Sequence, residues 1–256
     1  LAEILQEAGV PAGVVNVVPG SATAFGEIVT SDPRVKYLTF TGSTRVGRLL
    51  ATKAARNLKK YTLELGGKNP LIVFEDADIE YAVNTAAFGV FIHQGQICMA
   101  SSRILVQRNI FDEFAKRLVA KAETLKIGDP RDKNTIIGPL IRRSQIDVIQ
   151  DHIQDALDKG ATLLTGGTSE GNFFAPTILT NVTSEMNVSD EESFGPLTHL
   201  MPFDKDDEAI RLANETAYGL SAAVLTNDLI RAHRMVDEID AGMVHVNGPT
   251  VFDEPL

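Results

Sequence analysis

One cysteine stands among the 256 residues, Cys98, in the run Phe91-Ile92-His93-Gln94-Gly95-Gln96-Ile97-Cys98-Met99-Ala100. It follows a helical pattern and a glycine and precedes a strand. Such a junction can expose a side chain and aim backbone N–H groups at one point. A thiolate is a useful nucleophile at neutral pH when a base or a dipole assists it. Most lone cysteines are instead small buried apolar residues, and residue type alone leaves both readings open. Glu64 lies 34 residues earlier, in Leu63-Glu64-Leu65-Gly66-Gly67-Lys68-Asn69-Pro70. A carboxylate at the end of an apolar strand, partly buried, would have its pKa raised toward neutrality, as a general base needs. A strand-end glutamate paired with Lys68 or a backbone amide fits the same residues.

Two further segments carry chemical potential. Phe40-Thr41-Gly42-Ser43-Thr44-Arg45-Val46-Gly47 joins a strand to a helix N-terminus through glycine and hydroxyl residues. Unpaired N–H groups and a positive dipole at such an end suit a phosphate. Ser43 or Thr44 can cap the helix, which is also all that a simple connection requires. Asp190-Glu191-Glu192-Ser193-Phe194-Gly195-Pro196 places adjacent acids before a Phe-Gly-Pro turn, and composition alone reads it as an exposed loop.

The elements that must position these residues alternate along the chain. Apolar β-branched runs at 14–18, 35–40, 61–65, 70–74, 102–107, 161–165, 197–203, 220–226 and 243–247 read as strands, the first of them buried. Helical spacing is read at 22–30, 45–58, 111–125, 142–159, 206–216 and 230–239, and a helix capped by Asp76 or Asp78 runs to about Gly89 or on toward Gln94. Strands separated by long helices mean parallel sheets covered on both faces, an α/β chain. The adjacent glycines Gly66-Gly67 are the best domain junction.

Bulk properties narrow the classes. The net charge of −10 argues against nucleic acid or an anionic membrane surface as partner. No apolar run reaches the roughly 18–20 residues of a membrane span. A single cysteine excludes an intrachain disulfide and any Cys-rich zinc site, so no metal is expected, and it suits a reducing, cytoplasmic setting.

Together the strings FTGSTRVG, LELGGKNP, GQICMASSR and EESFGP, in this order and at these separations, resemble the aldehyde dehydrogenase superfamily over essentially the whole chain. The resemblance implies a three-layer αβα catalytic domain, 67–256, incomplete at its C-terminal end. It implies that 1–66 is the last part of a Rossmann-like NAD(P)-binding domain. It implies Cys98 as the nucleophile that attacks an aldehyde, passing through a thiohemiacetal to a thioester. Glu64 is the base that activates the hydrolytic water, and the Cys98 N–H is half of an oxyanion hole. NAD or NADP is the implied cofactor. Gly42 and Ser43 would lie near its pyrophosphate, Leu65 beside the nicotinamide, Glu192 on the adjoining ribose and Phe194 against that end.

Members of the superfamily are commonly about twice this length. Both ends of the chain, Leu1 and the Glu254-Pro255 region, are therefore expected to be cut, and the chain alone is expected to turn over little. The family implies a homodimer or homotetramer for the longer parent. The segments His93–Met99 and His245–Thr250 look like the benzaldehyde, salicylaldehyde and vanillin dehydrogenase branch, so the small-molecule substrate is expected to be an aromatic aldehyde. Three other readings stand beside this one. A Cys–His hydrolase would pair Cys98 with His93. An acyl-transferring relative would pass its thioester to coenzyme A, for which Glu64 would be unneeded. An inert fragment would carry the motifs without turnover.

Overall fold

The computed structural model describes residues 1–251. The Glu254-Pro255 segment read above as a cut end lies outside them. The chain divides into two compact units, Leu1–Leu65 and the residues from Gly66 on, with the break at the glycine pair.

The first unit holds α1 (Ala2–Glu7), α2 (Ala22–Ser31), β1 (Tyr37–Thr41), α3 (Thr44–Arg56) and β2 (Lys60–Glu64). Strands β1 and β2 run parallel, from Tyr37 opposite Lys60 to Thr41 opposite Glu64, so their C-terminal ends share one edge. Helix α3 buries Gly47, Leu50 and Ala54, spaced for one face, and ends on Lys53 and Arg56, whose charges complement the helix dipole. Lys59 is buried beside it and donates to the carbonyls of Asp32 (2.5 Å) and Val35 (2.9 Å), tying the end of α2 to the start of β2.

The strand expected at 14–18 is not formed. Val14, Val15, Val17 and Val18 are all exposed, Val18 by 70%. A β-branched run extends only where a neighbouring strand accepts its hydrogen bonds. Among the described residues none lies alongside it.

The second unit contains β3 (Pro70–Val73), α4 (Ile79–Phe91), β4 (Arg103–Gln107), α5 (Arg108–Glu123), α6 (Arg143–Asp158) and β5 (Thr162–Thr165). A small antiparallel pair follows, β6 (Ser169–Glu170) and β7 (Phe173–Phe174), then β8 (Thr177–Thr180), α7 (Asn187–Asp190) and β9 (Leu197–Phe203). The chain continues through α8 (Asp206–Asn214), β10 (Ser221–Leu225), α9 (Leu229–Glu238) and β11 (Met243–Val246). Seven strands form one sheet in the order β11-β10-β3-β4-β9-β8-β5, parallel throughout except where β5 meets β8.

Alternate residues of its central strands face two different cores. Leu71, Val73, Ile104 and Val106 meet α4 and α5, while Ile72, Phe74 and Leu105 meet α8 and α9. The period-two alternation of a strand buried on both sides yields the expected three-layer αβα arrangement. A third core lies under α6, where Ile146, Ile149 and Ile153 pack against Leu179, Val188 and Leu197. Asp78 is the residue that caps α4, accepting from the Tyr81 N–H at 2.8 Å. The helix stops at Phe91, and the chain leaves it through a kinked turn over Ile92–Gly95. Among the described residues no helix is long and apolar enough to cross a membrane.

Candidate active site

Cys98 sits on the turn between α4 and β4 and is half-buried. The approach is unusual: His93, Gln94 and Gly95 all have left-handed backbone, with φ of 49°, 59° and 67°. The turn is closed by the Ala100 N–H on the Ile97 carbonyl at 3.1 Å. Three successive carbonyls of the turn are held by side chains. Asn69 Nδ2 donates to the Cys98 oxygen at 2.8 Å and to the Ala100 oxygen at 3.0 Å, and Thr250 Oγ1 donates to the Met99 oxygen at 2.6 Å. Thr250 in turn accepts from Ser101 Oγ at 2.7 Å, and its carbonyl accepts from Ser221 Oγ at 2.6 Å. Such a nest fixes the backbone around Cys98 on a turn outside any helix or strand. His93, considered above as a hydrolase partner, is exposed.

The glycine pair lies against both Cys98 and Glu192. A Cβ on Gly67 would stand 2.3 Å from the Cys98 oxygen, and one on Gly66 would stand 2.3 Å from Glu192 Oε2. The Gly67 N–H donates to Glu192 Oε1 at 3.3 Å. Burial raises the Glu192 pKa, opposed by that hydrogen bond and by Lys68. Phe194 follows with left-handed backbone (φ 44°) and an exposed ring. The second unit thus brings Glu192, Phe194 and the Cys98 backbone around Gly66-Gly67.

The first unit groups the remaining candidates at the C-terminal edge of β1 and β2. The Gly42 N–H donates to the Glu64 carbonyl at 3.0 Å. Ser43 caps α3, accepting weakly from the Val46 N–H at 3.4 Å. Leu65 lies where a Cβ on Gly47 would meet it at 2.5 Å. Glu64 itself is exposed. The partial burial expected for it is absent, because β2 shows most of its residues to solvent.

Comparison with known proteins adds the decisive observation. The model of the aldehyde dehydrogenase family matches residues 1–256. The chain belongs to the aldehyde dehydrogenase family. It is 46% identical over 255 residues to a benzaldehyde dehydrogenase of Bacillus subtilis, covering 100% of this chain and 53% of that protein. It superposes on a Pseudomonas putida salicylaldehyde dehydrogenase complexed with salicylaldehyde, with a TM-score of 0.94 and 45% identity over 99% of this chain and 53% of that one. An Escherichia coli NADP dependent enzyme matches with a TM-score of 0.96 and 44% identity, covering 100% of this chain and 54% of that one. A Staphylococcus aureus betaine aldehyde dehydrogenase in complex with NAD+ matches at 0.93 and 36%, covering 100% and 51%. The chain spans about half the length of the aldehyde dehydrogenases it matches.

Within this aldehyde dehydrogenase unit, sequence reasoning passed over several residues of the site. In the sequence Asn69 and Thr250 stand only as members of longer motifs. Their buried amide and hydroxyl beside a turn were not visible without the fold. Lys68 was considered only as a partner for Glu64. Instead it is fully buried, its Nζ has no hydrogen-bond partner among the described residues, and burial, then Arg103, pushes its pKa down to about 7. Arg103 is buried too, opposite His199 in the β4–β9 register, and donates to the last carbonyls of α8, Leu212 at 2.5 Å and Ala213 at 3.2 Å. Burial and these two cations hold the His199 pKa well below its usual value. Among the described residues no group of three or more His, Cys, Asp or Glu is placed to hold a metal ion.

Proposed function

We propose that this chain carries the catalytic residues of an enzyme that oxidises an aldehyde, of aromatic type, to a carboxylic acid with NAD or NADP. The observation that supports it most is the setting of Cys98: a half-buried thiol on a turn whose three carbonyls are held by Asn69 and Thr250, with Gly67 leaving room beside it.

The residues present fit a nicotinamide cofactor. Glu192 offers carboxylate oxygens to ribose hydroxyls, and Gly66 leaves the space that this carboxylate occupies, since a Cβ there would run into it. Phe194 presents an exposed ring beside it. In the first unit, Gly42 and Ser43 open a 13-residue helix whose N-terminal N–H groups and dipole suit a pyrophosphate, with Leu65 packed against Gly47 in its first turn. When bound, the cofactor supplies the acceptor for the hydride of the reaction.

The chain's own residues do the rest. Cys98 Sγ attacks the carbonyl carbon to give a thiohemiacetal, and after oxidation the acyl group remains on sulfur as a thioester. The Cys98 N–H faces the oxygen on which charge develops. Glu64 takes a proton from the water that cleaves the thioester, returning the thiol. The similarity to benzaldehyde and salicylaldehyde dehydrogenases supports an aromatic substrate. A single cysteine suits the cytoplasm, and the family suits a homodimer or homotetramer.

The test uses the protein as expressed from its natural gene, with benzaldehyde or acetaldehyde and NAD or NADP, followed at the reduced-nicotinamide band. Turnover with benzaldehyde, lost in Cys98→Ser and reduced to a stoichiometric burst in Glu64→Gln, is expected. A strong acetaldehyde preference removes the aromatic assignment. Turnover that survives Cys98→Ser removes the mechanism.

A further inference from the structure

Helix α6 grips the Glu192 loop along one face. Asp155 Oδ2 accepts from the Asn187 N–H at 2.8 Å, and Gln145 Nε2 donates to the Ser193 carbonyl at 2.7 Å. Ile149 lies so close that a Cβ on Gly195 would stand 2.2 Å from its Cδ1. Between these contacts lies His152, which is buried. Its Nδ1 is 3.0 Å from Ser193 Oγ and its Nε2 is 3.3 Å from Glu191 Oε2. Positions 145, 149, 152 and 155 recur at the spacing of one helix face.

The two ring nitrogens therefore bond the residues immediately before and after Glu192. A carboxylate only accepts, which places the imidazole proton on Nε2. Nδ1 of the neutral ring then accepts from the Ser193 hydroxyl. Burial, then Lys68, lowers the His152 pKa against the opposing pull of Glu191 and Asp151, so the neutral ring that this pattern requires is the favoured one.

We propose that His152 is a positioning residue for the nicotinamide end of the cofactor site. By bridging Glu191 and Ser193 it fixes the Glu192 carboxylate against Gly66-Gly67 and holds Phe194 in its left-handed conformation. This rests on the reading of Glu192 as the ribose ligand. His152 touches neither substrate nor cofactor, and its effect passes through the loop.

The experiment compares wild type with His152→Ala, His152→Gln and Glu191→Ala in the naturally expressed protein. Hydrogen exchange of the amides of 191–195 is measured without cofactor, and NAD and NADP affinity by reduced-cofactor fluorescence and steady-state kinetics. Glu191 is exposed, so its truncation leaves the core intact. In His152→Ala the loop amides exchange faster while β3 and α4 keep their protection. The cofactor KM rises about tenfold, the scale of one buried hydrogen bond, with kcat little changed. His152→Gln, whose amide offers one donor and one acceptor, recovers most of both, and Glu191→Ala falls between. Unchanged loop exchange in both truncations overturns the clamp. A loosened loop with unchanged cofactor affinity overturns the positioning role. A wild type that binds neither dinucleotide overturns the cofactor reading itself, and the exchange data then judge the clamp separately.

Discussion

Asn69 and Cys98 are joined by a hydrogen bond of 2.8 Å from the Asn69 amide to the Cys98 carbonyl. The same amide spans further, donating to the Ala100 oxygen at 3.0 Å and accepting from the Ser221 N–H at 3.2 Å. One buried side chain thus ties the start of β3 to the Cys98 turn and to β10. Asn69→Ala leaves two carbonyls and one N–H without that partner, a loss of about 2–4 kcal/mol. Urea denaturation measures the cost, and the rate of Cys98 alkylation by iodoacetamide reports the loosened turn. A stability within 0.5 kcal/mol of wild type, an ordinary surface effect, together with an unchanged alkylation rate, would remove Asn69 from this role.

Gly66 and Gly67 separate two kinds of crowding. A methyl on Gly67 meets the Cys98 carbonyl, which is backbone, whereas one on Gly66 meets the end of the Glu192 side chain. Backbone has to shift for the first and a flexible carboxylate can swing for the second. Gly67→Ala is therefore expected to cost about 1–3 kcal/mol of stability. Gly66→Ala is expected to fold nearly normally and lose cofactor affinity. Thermal melts beside cofactor titrations test the contrast, and equal losses of stability in the two variants contradict it.

The central strands of the sheet were legible because they are buried on both faces. Runs such as Pro70-Leu71-Ile72-Val73 and Arg103-Ile104-Leu105-Val106 are nearly continuous apolar β formers, and the helices between them keep their 3.6-residue period. The elements β6, β7, β8 and α7 were not legible: each has two to four residues and none sits in a longer apolar run that would show a period. The Val14–Val18 run misled because a strand's apolar pattern says nothing of whether a neighbour is there to pair with it. Among the candidate site residues, Cys98 could be singled out as the one cysteine, whereas Glu192 stood out only through the resemblance and Gly66-Gly67 only as a junction. Thr250 and His152 could not, since their roles come from bonds to residues 151 and 41 positions away.

Gly95 carries two demands at once. Its φ is +67°, and a Cβ would stand 2.1 Å from the Gly195 carbonyl. Gly13 has a comparable φ of +87° with nothing among the described residues within 4 Å of a Cβ, so it isolates the conformational cost. Gly13→Ala is expected to lose about 1 kcal/mol, the price of a left-handed residue. Gly95→Ala should exceed that by about 2 kcal/mol or more, because α4's tight exit must then move off the Glu192 loop. Chemical denaturation of both variants gives the difference, and equal costs would show that the close approach is not enforced.

Lys68 ties stability to pH through a buried amine. Its folded pKa is pushed from 10.5 down to about 7, chiefly by burial and next by Arg103, with Glu192, Asp190 and Glu191 pulling the other way. Below about pH 7 both folded and unfolded chains hold the proton, and the folded one bears the whole cost of the buried cation. Between about 7 and 10.5 the folded amine releases its proton while the unfolded one keeps it. The unfolded state then binds more protons, so stability rises with pH across that window. Lys68→Met keeps the length of the side chain and removes the charge. The variant's stability relative to wild type is expected to be constant below pH 7. Above it, the wild type gains on the variant by up to roughly 1.4 kcal/mol per pH unit. Urea denaturation of the pair at pH 6, 7, 8 and 9 reads this directly, because groups common to both proteins cancel. A difference that stays flat to pH 9 means that Lys68 keeps its proton in the folded chain, held by the acidic loop.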